Sequence, residues 1–245
     1  MADDPKRVNT PWDWDQERVS VGRHFLRDLE SLWSEVLKLA AVVEESLDRS
    51  FAALCEGRVE LAEEVRRQKP AVDSWEVAIE RECVRVLALH QPVASDLRRV
   101  AAVLKINSDL ERLAELARHI AKRSKKLAAD PQALPIPQPL EDLAHAASAQ
   151  VHASLDALAR ADVAAARAVV ETDEAVDRRY RSVLRGLKRD LVADPDRLGA
   201  RLRLISTARN LERIADGAAR IAESVVYLKE GEILAAPRGG GPPRP

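Results

Sequence analysis

The chain has 245 residues, of which 46% are hydrophobic, only 3% aromatic and 32% charged, with a formal net charge of −1. Such a balance supports a real core and gives none of the basic footprint of a nucleic-acid binder. Cys55 and Cys83 stand singly without a CxxC partner, which speaks against a disulfide framework or a thiolate metal site. No apolar run approaches eighteen residues and the start carries no apolar leader. A soluble cytoplasmic protein without direct membrane insertion is the expectation.

Ala, Leu, Arg and Glu dominate, all strong helix formers, so the fold class expected is all-α. Residues 1–16, broken by Pro5 and Pro11, read as a flexible N-terminal arm. From Glu17 to about Glu56 the positions Phe25, Leu29, Leu32, Val36, Leu39, Val43, Leu47, Phe51 and Leu54 step by three and four, the mark of one long amphipathic helix, and Gly57 supplies a stop. A second helix spans about Val59 to His90, with a kink expected at Lys69-Pro70. The segment Gln91 to Arg98 opens a third helix, its Pro and Asp suited to a first turn, running to about Ala128. Prolines crowd residues 130–139, a semi-rigid linker. Three further helices follow near 140–160, 162–192 and 196–230, with Asp162 as a cap and Asp194-Pro195-Asp196 before the last. Residues 235–245 read as a disordered tail. The expected organisation is two tandem three-helix bundles, 17–129 and 140–234, related by a pseudo-two-fold repeat.

The repeat shows most plainly in two blocks. Leu110-Glu111-Arg112-Leu113-Ala114-Glu115 recurs, 101 positions on, as Leu211-Glu212-Arg213-Ile214-Ala215-Asp216. Continuing the row of Leu97, Val100 and Leu104 leads to Glu111 and Glu115; continuing that of Leu198, Ile205 and Ala208 leads to Glu212 and Asp216. Helix five places Asp173 and Asp177 in the row of Val169, Val176, Tyr180 and Val183. Helix two carries Asp73 and Glu76 beside Val65, Lys69, Val72 and Ile79. Acids one turn apart repel each other, and setting two such pairs side by side needs a positive charge. A cation held by carboxylates from two helices would meet that need, and all-oxygen ligation favours a hard ion: iron, manganese, magnesium or calcium. On spacing alone a solvated face with Arg112 and Arg213 as counter-ions competes; the duplication of the block weighs against chance.

Other chemistries find little support. The five histidines show neither HxxxH nor the ExxH spacing of di-iron bundles, although His119, four after Glu115, could join a site. There is no GxGxxG and no Walker loop. Ser95-Asp96 beside His90 reads as helix capping rather than a nucleophile. Lys122-Arg123-Ser124-Lys125-Lys126 completes a helix C-terminus, with an anionic partner as the minor alternative.

The run His24 to Glu30, the segment Leu89 to Arg98, both Leu-Glu-Arg blocks and Ile221 to Leu228 together resemble the PhoU family, over about Val21 to Ile233. That resemblance implies two symmetric three-helix bundles, in some members with metal clusters on E/D-x-x-x-D motifs. By matching, Glu212 with Asp216 and Asp173 with Asp177 fall on the second-bundle motifs. In the first bundle Glu111 matches, Glu115 stands where Asp is usual, Lys69 replaces the first helix-two acid, and Asp73 and Glu76 remain. The implied role is a non-catalytic cytoplasmic adaptor without an organic cofactor. It would link the phosphate ABC transporter ATPase, PstB, to a membrane sensor kinase, PhoR, and repress the starvation response when phosphate is plentiful. A homodimer is compatible with this. The alternative from another class is a carboxylate-bridged metal-storing or oxidative bundle.

Overall fold

The computed structural model describes residues 23–130, 134–193 and 197–234. The expected arm, the start of helix one before Arg23, the Asp194-Pro195-Asp196 signal and the tail lie outside these residues. Six helices make up the order: α1 Arg23–Cys55, α2 Val59–His90, α3 Ala94–Ala128, α4 Gln138–Arg160, α5 Val163–Ala193 and α6 Leu198–Glu230. No strand occurs among the described residues.

Each boundary has a local cause. The α1 stripe from Phe25 to Leu54 is buried as its spacing requires, together with a fully enclosed Trp33. Beyond α1, Gly57 adopts φ 70°, a left-handed turn that glycine enters without penalty. α2 runs unbroken through Pro70, which lies on its exposed face. The α2–α3 turn is tight and strained: Gln91 and Ala94, neither a glycine, sit at φ 45° and 48°. α4 begins at Gln138, two residues earlier than the proline-rich stretch suggests, because Pro139 suits the first turn. It ends on Ala161 at φ 54°, where the Asp162 N–H donates to the Ala157 carbonyl at 3.0 Å. Asp162 then caps α5, its Oδ1 accepting from the Ala165 N–H at 2.9 Å.

α1, α2 and α3 pack on one another, as do α4, α5 and α6. The two bundles meet chiefly where α3 lies against α6, with a slighter contact between α1 and α4. α3 and α6 run antiparallel: Asp109 accepts from Arg220 Nε at 2.7 Å, Leu113 faces Gly217, and Asp130, beyond the end of α3, pairs with Arg203 near the start of α6. At the α1–α4 contact, His152 Nδ1 lies 2.6 Å from Glu44 Oε1 and Nε2 lies 3.1 Å from Asp48 Oδ1. Burial pulls the ring's pKa down, but these two carboxylates outweigh it and hold it above the ordinary value.

The apolar rows differ from expectation at one point. Leu97 and Leu198, each in the first turn of its helix, are exposed, because both stand at bundle ends where no neighbouring helix covers them.

The close approach at the seam gives a direct test. A Cβ on Gly217 would stand 2.8 Å from Leu113 Cδ2, and Leu113 is fully buried. Gly217→Leu therefore forces the seam apart and is expected to lower stability by about 1–3 kcal/mol, measured by urea unfolding.

Candidate metal centre

On α5, Asp173 and Asp177 stand one helical turn apart; on α6, Glu212 and Asp216 do the same. Packing of α5 on α6 brings these acids together. One carboxylate oxygen from each of Asp177, Glu212 and Asp216 lies within 4.8 Å of the others, all three side chains half-buried. Asp173 sits beside them, its Oδ1 accepting from Gln150 Nε2 at 3.0 Å. Gln150 is a buried α4 residue that the spacing of the acids does not reveal; the only signal is a polar residue in an apolar stripe.

The electrostatics are those of a site short of positive charge. Burial, then the charges of Asp216 and Asp177, push Glu212 up to about 7. Burial followed by Asp173 and Asp177 raises Asp216, and burial raises Asp173 despite the Gln150 bond. Of the cations nearby, Arg220 is committed to Asp109, and Arg181, about half exposed, pairs with one acid of the cluster, Asp177, at 2.9 Å. An oxygen donor set of this kind fits a hard cation, whose bonds of about 2.0–2.6 Å separate its ligands by roughly 3–5 Å.

The first bundle contains the same arrangement with one change. Lys69 corresponds to Asp173, Asp73 to Asp177, Glu111 to Glu212 and Glu115 to Asp216. The Lys69 side chain is only 9% exposed; its ammonium binds Asp73, lies 2.8 Å from Glu111 Oε1 and 4.0 Å from Glu115 Oε2. Burial alone would lower the Lys69 pKa, but the bonds to Asp73 and Glu111 prevail and raise it. Glu115 is held further by Arg118 at 2.5 Å and His119 at 3.0 Å, with Arg118 the chief cause of its lowered pKa. Glu76 stands at the counterpart of Tyr180, where burial, Glu80 and Glu111 raise its pKa. The four first-bundle acids named from sequence are thus brought near one another, but around a lysine that takes a cation's place. His119 serves Glu115 within that network.

An all-helical protein duplicated about a pseudo-two-fold, with one cluster carrying its own ammonium and the other purely carboxylate, is the class that fold and site define. The chain belongs to the PhoU family: the PhoU domain matches residues 36–124 and 140–225. It is 38% identical to a phosphate-specific transport system accessory protein PhoU homolog of Aquifex aeolicus, over 85% of this chain and 94% of the relative. Its identity to the Escherichia coli accessory protein PhoU is 31%, over 86% of this chain and 88% of that one. The crystal structure of PhoU from Pseudomonas aeruginosa superposes with a TM-score of 0.81 at 35% identity, covering 85% of this chain and 100% of that chain. PhoU from Streptococcus pneumoniae gives 0.77 at 27% identity, covering 86% and 99%.

The raised carboxyl pKa values fix a pH dependence for metal-free protein. Glu212 binds its proton more tightly folded than unfolded, so its contribution favours the fold below the ordinary glutamate value and is lost as pH rises through about 7. In EDTA, stability is expected to fall by on the order of 1–2 kcal/mol between pH 5 and pH 8 after allowance for solvent screening. Glu212→Gln should flatten most of that slope, as read by urea unfolding at both pH values.

Proposed function

We propose that this protein is a non-catalytic regulator of phosphate uptake. It holds a hard cation in its second bundle and docks both the ATPase of a phosphate ABC transporter and a sensor kinase. When phosphate is plentiful, docking biases the kinase toward its non-signalling state and the starvation response is repressed. The observation that carries this is the family match along both bundles to accessory proteins of phosphate transport. No helix among the described residues is long and apolar enough to cross a membrane, in keeping with a protein that works on a membrane complex from the cytoplasm.

Asp173, Asp177, Glu212 and Asp216 would hold the cation. Iron, manganese, magnesium or calcium suits these oxygen donors. Bound there, it supplies positive charge that ties α5 to α6, the part Lys69 plays between α2 and α3. A docking surface is offered by the strained α2–α3 turn, where Leu89 and Val93 are 63% and 71% exposed and Leu97 is exposed beside them. Two non-glycine residues in left-handed conformation lie in the same turn, and strain of that kind clusters at functional sites.

Two experiments test the proposal. Elemental analysis should find stoichiometric metal in the wild type and none in Glu212→Ala/Asp216→Ala. Asp173→Lys, which imports the first bundle's ammonium, should fold and lose the metal, whereas Lys69→Asp should gain a second site; metal unchanged across these variants would sink the assignment. For the adaptor role, deletion of the gene should switch on starvation genes in phosphate-rich medium. Leu89→Glu/Val93→Glu, folded by circular dichroism, should lose at least tenfold in affinity for the ATPase or the kinase.

A further inference from the structure

At one end of the α3–α6 seam, His119, Lys122, Arg123 and Lys126 of α3 face Leu202, Arg203 and Ser206 of α6 across a groove of about 360 Å³. Helical spacing splits the basic run: residues 119, 122, 123 and 126 share one face. Ser124 turns inward to its own helix's carbonyl at Ile120, and Lys125 reaches Glu63 on α2. Of the groove's basic groups, Arg203 pairs with Asp130 and His119 with Glu115. No carboxylate among the described residues pairs with Lys122, Arg123 or Lys126. Arg123 is half-buried, its one hydrogen bond going to the His119 carbonyl at 3.3 Å. Its pKa is lowered by burial without any acid to offset it. His119 is pressed the same way, chiefly by burial and then, against the pull of Glu115, by Arg118, Arg123 and Arg213.

The helix dipole accounts for Lys126 in the last turn but not for Lys122 and Arg123. Its effect fades within the last turn, and Lys122 and Arg123 lie more than a turn before the end at Ala128. Nor does the fold demand them. The pseudo-two-fold carries residues 119, 122, 123 and 126 onto Arg220, Glu223, Ser224 and Tyr227, all of which line the groove at the opposite end of the seam. The same frame therefore accepts an acid, a hydroxyl and an aromatic ring where this end gathers positive charge. Like charges at three- and four-residue spacing repel, and a half-buried guanidinium without a counter-ion is unfavourable.

We propose that this groove is a binding site for a phosphate-bearing anion. Lys122 and Lys126 supply point charges at the rim, Arg123 its forked donors further in, and Ser206 a hydroxyl. The volume falls in the range of small-molecule sites and exceeds what one inorganic phosphate fills, so condensed phosphates or phosphorylated metabolites suit it better than free phosphate. The site stands apart from the adaptor role and from the carboxylate cluster, and its test needs neither partner nor metal.

The test is calorimetric titration of the full-length protein with inorganic tripolyphosphate, inorganic phosphate and sulfate at fixed ionic strength, with thermal unfolding in parallel. Tripolyphosphate is expected to bind and raise Tm, with phosphate weaker and sulfate weakest. Lys122→Glu/Arg123→Ser installs the residues that the opposite groove already carries, so it should fold and lose at least tenfold in affinity. Lys105→Glu in the opposite groove should bind like the wild type. Tighter binding of phosphate than of tripolyphosphate would keep the site and assign it to the free ion. Equal affinity for sulfate, equal loss in Lys105→Glu, or no loss in the double variant would overturn the site. So would failure of both phosphate probes to bind wild type, which would leave the groove to an acidic protein segment.

Discussion

The structure depends on one contact, the antiparallel seam of α3 against α6. A three-helix bundle needs only one apolar stripe per helix, but α3 and α6 are buried on two faces, one toward their own bundle and one toward each other. The seam requires small residues where the helices close, and at Gly217 there is no room for a Cβ beside Leu113. Because the helices run in opposite directions, every feature on α3 has a counterpart on α6 at the other end. The two acid clusters and the two end grooves occupy positions related in this way, while their residues are set by the duplicated sequence and its departures.

Duplication makes the chain its own control. Both bundles gather acids from two neighbouring helices, and both face the same electrostatic difficulty. The first resolves it with a side chain of its own, the Lys69 ammonium on α2, which pairs with Asp73 and Glu111. The second leaves carboxyls so poorly compensated that Glu212 retains its proton up to about pH 7. A permanent internal cation cannot be gained or lost, whereas an exchangeable one can.

Much of this was legible in the sequence, and the physical reason is periodicity. Long helices with clean stripes, such as Phe25 to Leu54, declare themselves because burial follows the 3.6-residue repeat. Gly57 and Asp162 declare boundaries because each has a specific backbone role. The acids of α5 and α6 were visible because they interrupt apolar rows. Less legible were features that depend on which helix faces which. Nothing in the spacing says that Gln150 of α4 would reach Asp173, or that Lys69 would bridge Asp73 and Glu111 rather than extend into solvent. The basic run after His119 reads as a helix ending until α6 supplies the opposite wall and the pseudo-symmetric groove shows that its charge is not obligatory.

The tie at His152 has a mechanical consequence. Two helices touching along a single line resist separation but not rolling, so the seam by itself would leave one bundle free to pivot about the other. The α1–α4 contact stands off that line, and its polar link is a single ring with a carboxylate at each nitrogen. Both bonds can be made only while each nitrogen carries hydrogen, that is, by the imidazolium. Below the ordinary histidine pKa the link is complete; as pH rises through the higher folded value, one carboxylate is left facing a lone pair. How completely α1 is tied to α4 is therefore set in part by one proton on one imidazole.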